Sequence, residues 1–287
     1  MLVEASALWT IIGPDGTTIM INDGGAIVCE SVTGWDSTTV RTNVEDIPAE
    51  DGAIAGDSFL GQRPWTLNGK IGANVGAAAR NVAIANMKRA VRGLRGDVVV
   101  QAQPSGMPAM QATARLQSLR ISGGLVKDYQ LAFISADPRA YSQALNTINQ
   151  TGAPGVPGAG FSMAFPINFG GGSGATLVAA ATNAGNIDTY PVLKVWGPIT
   201  NPQITLVNGS SIYLDNLTLA SGEWVQITTA PGQHAVTKSD GTNLYDRVRY
   251  PGSVFFKLPP GSSTIQLWGS GSGAGTELDV TWRDAWD

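Results

Sequence analysis

Short apolar runs of strand length recur along most of the chain and are separated by turn-forming residues. Near the start, Leu8–Ile12 and Thr18–Ile21 flank the turn signal Pro14-Asp15-Gly16 and predict a β-hairpin. The acidic, glycine-rich segment Asp46–Gly61 is interpreted as a long loop. Further strands are predicted at Val28–Trp35, Arg63–Ile71, Asp97–Gln103, Gln111–Ile121 and Tyr129–Ser135.

One segment, Ala77–Leu94, has the periodicity of a helix instead. Its larger apolar residues recur at helical spacing and share one face: Ile84, Met87, Val91 and Leu94. Gly93 and Gly96 favour a stop at its end, where late basic residues suit the helix dipole. The first part of the chain is therefore predicted to be mostly β, with one helix packed on it.

The second half continues the series of short strands. The dipeptide Asn208-Gly209 lies between two apolar runs and is a strong hairpin signal. Strands are predicted at Pro191–Trp196, Gln203–Val207, Ser211–Leu214, Glu223–Thr228, Ala235–Lys238, Leu244–Arg249, Val254–Leu258, Ser263–Trp268 and Thr276–Trp282. Many short strands at close spacing predict a β-sandwich, although the strand order stays open.

A glycine- and proline-rich run, Gly152–Ala175, separates the two halves and is typical of a linker. The sequence therefore predicts a mainly β protein of two domains. Residues 1–145 form a β-sandwich-like domain with one packed α-helix, residues 146–175 form the linker, and residues 176–287 form the second β-sandwich. The 36 glycines and 16 prolines are too many for a helical bundle.

Charge and composition exclude several classes of protein. The net charge of −4 gives no electrostatic case for nucleic-acid binding. The single cysteine, Cys29, excludes an internal disulfide. The start, MLVEASALWTII, has no basic region typical of a signal peptide, and no apolar run has the length of a membrane span, so we expect synthesis in a cytoplasm and no membrane insertion. Charged residues are only 14% of the chain, which suits a protein that covers its surface with partners and equally a glycine-rich β protein with small neutral loops.

Residues typical of catalysis are sparse, and we predict that the protein is not an enzyme. The only histidine, His234, lies beside the turn Pro231-Gly232, and no nucleophile elbow is present. Cys29 lies in an apolar run and is interpreted as a small buried side chain. One histidine and one cysteine cannot build a typical zinc site. The acidic residues indicate no particular pair for glycoside hydrolysis, so no catalytic, metal or cofactor-binding residue is assigned.

The tryptophans give more information about function than the histidine, the cysteine or the acidic residues. Trp196, Trp224 and Trp268 fall in predicted strands of the second domain, where alternation buries some side chains and exposes others. Core packing accounts for most such tryptophans. An outward tryptophan on a sandwich face can instead stack on a sugar ring, so these three are candidate glycan-stacking residues. Trp286, near the end of the sequence, is expected to be exposed or docked on a neighbouring molecule.

Several segments, taken in order, resemble the distal tail (Dit-like) proteins of long-tailed, siphovirus-type bacteriophages. SADPRAY is similar to the strand end that closes their first domain, and LGQRPWTLNGKI to the loop and strand before their helix. NAGNIDTYPVLKVWGPITNP and the closing stretch FFKLPPGSSTIQLWGSG…LDVTWRDAW are similar to their second, galectin-like or carbohydrate-module-like sandwich. Each motif alone is only moderately specific, so the resemblance depends on their order along the chain.

The resemblance implies a structural virion protein that forms a homo-hexameric ring at the tail tip. Its partners would be further copies of itself, the tail-tube protein and the tail-associated or baseplate hub protein. The apolar residues within Asp46–Gly61 suit a ring contact, and the candidates are Ala53, Ile54, Phe59, Leu60 and Arg63. The alternative for this segment is a mobile surface loop whose apolar residues fold back on their own domain. The alternative is a glycan-binding module that attaches a particle to a host cell-wall glycan through the second domain.

Overall fold

The computed structural model describes residues 5–48, 50–72, 75–92, 96–152, 177–207 and 209–287. The chain divides into two compact units. The first runs to Gln143 and also includes Trp286 and Asp287, and the second runs from Ala144 to Ala285. Both units are built mainly from antiparallel strands, which confirms the predicted mainly β fold.

The described residues of the first unit form ten strands, β1 to β10, and one helix. The strands are β1 (Leu8–Ile12), β2 (Thr18–Ile21), β3 (Ile27–Thr33), β4 (Val40–Asp46), β5 (Ala53–Leu60), β6 (Arg63–Ile71), β7 (Val98–Gln103), β8 (Met110–Ser122), β9 (Lys127–Ser135) and β10 (Ala140–Ser142). The helix is α1 (Ala77–Arg92). The predicted hairpin at the start is confirmed, because β1 pairs with β2 in antiparallel register.

Seven of these strands form the main path of one sheet, in the order β2-β1-β7-β8-β9-β6-β3, and β10 pairs with β8. Alternate residues of β6 and β9 are buried on one face of this sheet, as the period of a strand requires. Aromatic rings fill the core under that face. Trp35 meets Trp9 edge to face at 5.1 Å and Trp65 at 4.9 Å, and Trp65 stacks on Phe133 at 4.5 Å between ring centroids.

The helix packs its predicted face on the same core. Met87 and Ala90 are fully buried, Val91 is 6% exposed, and Ile84 is partly buried against the cluster. The fourth predicted core residue, Leu94, lies outside the described residues. At the start of the helix, the Arg80 guanidinium donates a hydrogen bond to the carbonyl oxygen of Leu125. The long stem of Arg80 thus lies on the packed side while its charged end is held at the edge.

Trp286 corrects one expectation. Its side chain is 7% exposed and belongs to the hydrophobic cluster of the first unit, so it is a core residue of that unit and is not exposed. Its position near the end of the sequence gave no sign of this, because sequence distance does not limit contacts in a sheet protein.

The second unit contains strands β11 (Asn146–Thr151), β12 (Leu177–Asn183), β13 (Val192–Trp196), β14 (Ile199–Leu206), β15 (Ser211–Tyr213), β16 (Thr218–Leu219), β17 (Trp224–Thr228), β18 (Ala235–Lys238), β19 (Gly261–Ser270) and β20 (Glu277–Trp282). A final two-residue strand, β21 (Ala285–Trp286), begins with the last residue of the second unit and ends with Trp286, which belongs to the first. One sheet has the order β11-β20-β13-β17-β18. The other has the order β12-β19-β14-β15, and β16 pairs with β14.

Buried residues of both sheets belong to one hydrophobic cluster, so the sheets pack face to face as the predicted sandwich. Leu193 and Val280 contribute to it from one sheet, and Ile204 and Leu267 from the other. The hairpin predicted around Asn208-Gly209 is present, because β14 pairs with β15 in antiparallel register. Asn208 itself lies outside the described residues.

Two predicted strands of the second unit are not strands. Leu244–Arg249 contains a short 3₁₀ helix, Tyr245–Arg247, and Val254–Leu258 is irregular. Both segments alternate weakly and lie beside turn residues, and tertiary contacts decide their conformation. Strand β11 falls within residues 146–175, the predicted linker, yet it pairs with β20 along its whole length. The glycine-rich remainder of that linker, residues 153–176, lies outside the described residues.

The stability of the protein should be sensitive to substitutions on the buried face of helix α1 and much less sensitive to substitutions on its exposed face. Val91→Asp places a charge in the aromatic core and should cost several kcal/mol of unfolding free energy, since the carboxylate gains no partner there. Val82→Asp is the matched control, because Val82 lies on the same helix with 60% of its surface exposed. Both variants replace a valine by an aspartate in the same helix, so both carry the same change in helix propensity. Apart from that shared change, the control should alter the unfolding free energy by about 0.5 kcal/mol. Thermal melting of both variants tests this, and equal melting temperatures would contradict the packing.

Candidate interaction surfaces

Strands β4 and β5 form a two-stranded ribbon that pairs with no other strand of the described residues. Every residue of both strands is exposed except Leu60, which is half-buried. Exposed apolar side chains lie on both faces of the ribbon. Val40 and Val44 lie on one face, because alternate residues of a strand share a face. Ile54 and Phe59 are opposite Glu45 and Arg41 and therefore lie on the other.

This ribbon corrects the sequence interpretation of Asp46–Gly61 as a loop. Residues 53–60 are a strand, and Val40–Asp46, which was not predicted as a strand, is its partner. The strand was missed because Gly56, Asp57 and Ser58 interrupt its apolar pattern. A register shift between Thr42 and Val44 marks an irregularity in the pairing at the same point.

The structure places four of the five candidate ring-interface residues on this ribbon. Ala53, Ile54 and Phe59 are exposed, with 64% of Ile54 and 60% of Phe59 accessible, and Leu60 is half-buried. Two exposed aliphatic residues that the sequence did not single out, Val40 and Val44, add to the same surface.

Arg63 does not belong with them, and its assignment to an interface is corrected. Its side chain is 2% exposed and points inward beside Trp65 on β6. Its Nη1 donates a hydrogen bond of 2.7 Å to the carbonyl oxygen of Trp35. Burial lowers the pKa of its guanidinium, while nearby carboxylates of the same unit act in the opposite direction. Arg63 therefore ties a loop to the core of its own unit.

The outward face of sheet β11-β20-β13-β17-β18 carries a second surface, built around two tryptophans. Trp196 on β13 and Trp224 on β17 are directly opposite in the antiparallel register. Their ring centroids are 6.3 Å apart at an interplanar angle of 61°. The Nζ of Lys194 lies 4.2 Å from the centroid of each ring, so one ammonium contacts both π-systems. Both tryptophans are half-buried.

Polar side chains from the neighbouring strands fix this pair in place. The indole N–H of Trp196 donates a hydrogen bond of 2.8 Å to Oδ2 of Asp279 on β20. The amide of Asn149 on β11 donates to Oδ1 of Asp279 at 2.9 Å and also to Oε1 of Glu277. Partial removal of the Glu277 carboxyl from solvent raises its pKa, and the neighbouring Asp279 raises it further. The set is therefore an aromatic pair bordered by two carboxylates and an amide.

Trp268 lies apart from that pair. It is on β19 of the other sheet, opposite Gln203 on β14, and is half-buried. The three candidate glycan-stacking residues are thus divided between two sheets, two on one and one on the other. The sequence could not separate them, because the alternation gives the orientation of each side chain but not the sheet to which its strand belongs.

Sequence reasoning also missed the polar members of the tryptophan surface. Lys194, Asp279 and Asn149 are distant in sequence and meet through the pairings β13–β20 and β11–β20. The only sequence signal for Lys194 is its spacing of two residues from Trp196, which places both on one face of a strand. Asn149 could not be found, because its strand falls in the predicted linker.

His234 packs against an aromatic side chain of the second unit. The His234 ring stacks on Phe255 at 4.3 Å, and its Nε2 lies 3.1 Å from the carbonyl oxygen of Thr229. Phe255 in turn stacks on Tyr245 at 5.9 Å. Among the described residues, no group of three or more histidine, cysteine, aspartate or glutamate side chains could hold a metal ion. In that same part of the chain, no helix is long and apolar enough to cross a membrane.

Cys29 is buried as predicted and is expected to be unreactive. Its thiol is 6% exposed, contacts the carbonyl oxygen of Ser31, and has its pKa raised by burial to about 11. At pH 8 only about one thiol in a thousand is then ionised, and the thiolate is the reactive form.

In the folded protein, iodoacetamide at pH 8 should label Cys29 much more slowly than it labels a solvent-exposed thiol. In denaturant, it should label Cys29 rapidly. Mass spectrometry measures both rates, and equal rates would contradict the burial.

Comparisons with known proteins agree with this architecture. Residues 184–286 match the model of a family described as siphovirus-type tail component, C-terminal domain. A search of curated protein sequences finds no significant match. Among solved structures, the Dit protein of phage SPP1, described as a paradigm of hub adsorption apparatus in phages infecting Gram-positive bacteria, is similar with a TM-score of 0.66 and 13% identity. The alignment covers 96% of this chain and 98% of that one.

A chain in the phage P2 baseplate, in its activated conformation with Ca, is similar with a TM-score of 0.52 and 10% identity. That alignment covers 96% of this chain and 97% of the baseplate chain. A second structure of that baseplate, with Sr, gives a TM-score of 0.51 over the same shares. The family match over residues 184–286 and the shared fold confirm the predicted resemblance to Dit-like tail proteins.

Proposed function

We propose that this Dit-like chain is a structural component of a bacteriophage tail that forms a ring at the distal end and joins the tail tube to the baseplate. The carrying observation is the likeness of fold over 96% of the chain to a tail hub protein and to a baseplate chain. The family match over residues 184–286 supports the same assignment. The protein then acts by assembly and not by catalysis, and it belongs to the virion after synthesis in the host cytoplasm.

The β4–β5 ribbon supports the step of self-assembly. Its exposed apolar residues on both faces gain nothing from the fold of a single chain, because no described strand or helix covers them. A two-stranded ribbon alone is marginally stable in water, and its unpaired edges can accept another strand. Covering the ribbon with a neighbouring copy solves both problems together. Each large apolar side chain that becomes fully buried contributes roughly 1.5–3 kcal/mol.

We propose a closed homo-hexamer, with the ribbon of one copy packed on the next. A head-to-tail contact of this kind produces a closed ring if the rotation between copies closes. The tail-tube protein and the tail-associated or baseplate hub protein are then the partners above and below the ring. The contact residues on the ribbon are Val40, Val44, Ile54 and Phe59.

Ile54→Asp combined with Phe59→Asp tests this contact. The double variant keeps the backbone of the ribbon but places two carboxylates in the proposed interface, where they would lose their hydration. We expect the unmodified chain to form sixfold rings in negative-stain electron micrographs and the double variant to have a monomer mass by light scattering. Val207→Asp is the control, because Val207 is 60% exposed on the second unit. Rings that persist in the double variant would exclude the ribbon as the contact.

The tryptophan pair favours a second function, attachment of the particle to a host cell-wall glycan through the second unit. Trp196 and Trp224 are partly exposed on a strand face and are surrounded by hydrogen-bonding side chains, which is the composition of a sugar-binding surface. Attachment and ring formation use different residues, so one chain can carry both functions.

A further inference from the structure

The outward face of sheet β11-β20-β13-β17-β18 is arranged in two neighbouring rows that cross the strands. The strand register places Thr151, Glu277, Trp196 and Trp224 in one row. It places Asn149, Asp279, Lys194 and Gln226 in the next. Adjacent strands lie about 4.8 Å apart, so a row across four strands extends about 14 Å. One row ends in the aromatic pair and the other consists of polar and charged side chains.

The aromatic part is held in place before any ligand arrives. Trp196 is fixed by its hydrogen bond to Asp279, and Trp224 by its edge contact with Trp196. The ammonium of Lys194 lies against both rings and is close enough to Glu277 for its charge to oppose the rise in the pKa of that carboxyl. Rigid anchors lose little conformational entropy on binding, which favours affinity from a small surface.

The polar part offers both kinds of hydrogen-bonding group. Glu277 and Asp279 accept, the ammonium of Lys194 donates, and the amide of Gln226 does both. A pyranose ring presents the complementary pattern, because hydroxyl groups surround its edge and C–H groups form an apolar face. The apolar face matches the exposed parts of the tryptophans, and the hydroxyls match the polar row.

The charges on this surface favour an uncharged glycan over an anionic one. Two carboxylates, Glu277 and Asp279, lie beside one ammonium, so the surface has a net negative charge. A phosphate-bearing polymer would bring like charge to the carboxylates and lose affinity. An uncharged sugar meets no such repulsion, and its hydroxyl groups can donate hydrogen bonds to both carboxylates.

We propose that these two rows form the binding site for an uncharged pyranose glycan, with Trp196 and Trp224 as the stacking platform and Asp279, Lys194 and Gln226 as the groups that orient the sugar. This inference rests on the proposed attachment function and specifies its ligand. Trp268, on the other sheet, is not part of the site.

Isothermal titration calorimetry on the full chain tests the proposal. The probes are three uncharged tetrasaccharides, built of N-acetylglucosamine, glucose or galactose, and an anionic poly(glycerol phosphate). We expect at least one uncharged probe to bind and the anionic polymer not to bind. Trp224→Ala should weaken that binding at least tenfold. Trp268→Ala, the matched tryptophan control, should leave it within twofold.

Gln226→Ala keeps the test valid if loss of a tryptophan impairs folding. The side chain of Gln226 is on the outward face, and its removal should weaken binding severalfold with unchanged circular dichroism. No response to any uncharged probe, or full binding by the Trp224→Ala and Gln226→Ala variants, would overturn the site. Stronger binding of the anionic polymer that depends on Trp224 would overturn the ligand class but retain attachment. Light scattering on the same samples reports ring assembly separately, so failure of the sugar site and failure of the ring are distinguishable.

Discussion

Period-two alternation along antiparallel strands is the constraint on which both units depend. Each sheet has one face buried in a hydrophobic cluster, so the side chains on the other face are free to vary in chemistry. A shift of one residue in the pairing of β13 would turn Leu193 and Val195 outward and bury Lys194. The burial of the apolar positions therefore fixes the register, and the register fixes which polar groups meet on the outside. Trp196 and Trp224 are neighbours because Val195 and Val225 are buried opposite each other.

The β4–β5 ribbon is the exception to this constraint. It has no buried face, so alternation distributes its apolar residues over both sides and leaves them in water. In the main sheet of the first unit, many of the apolar side chains of its strands are buried in a single core on which helix α1 also packs. The contrast within one unit is informative, since the same chain that buries Trp9, Trp35 and Trp65 completely leaves Ile54 and Phe59 exposed. Contact with another molecule is the simplest way to cover them.

Local patterns in the sequence predicted the strands and the helix in which apolar residues recur with a clear period. Arg63–Ile71 and Ala235–Lys238 have the predicted bounds, and the helix begins at Ala77 and buries the predicted face. The failures have physical causes of two kinds. Strand β5 has glycine and charged residues at positions where a ribbon without a core needs no apolar side chain, so no alternation signal exists. Strand β11 is polar on its outward positions, and only its pairing with β20 identifies it.

The candidate surfaces were predictable only in part, for a related reason. The apolar residues within the otherwise polar segment Asp46–Gly61 could be identified from the sequence, and so could the tryptophans that lie in predicted strands. Arg63 was grouped with these surface residues, yet its side chain is buried and donates a hydrogen bond to the carbonyl oxygen of Trp35, and arginine is rarely buried to this extent. Which tryptophans share a face is a property of strand order, and strand order comes from contacts between distant residues.

The two proposed functions place different demands on affinity, and the proposed ring would reconcile them. A half-buried tryptophan pair on a flat strand face offers a small contact area, so a single site is expected to bind sugar weakly. Six copies on one particle would engage a repetitive wall polymer together, and the second and later contacts are then intramolecular. Avidity of this kind can exceed the single-site affinity by factors of about 10²–10⁴ if the geometry permits simultaneous contact. Assembly through the ribbon would thus convert a weak sugar site into effective attachment, because it gathers the sites without altering any of them.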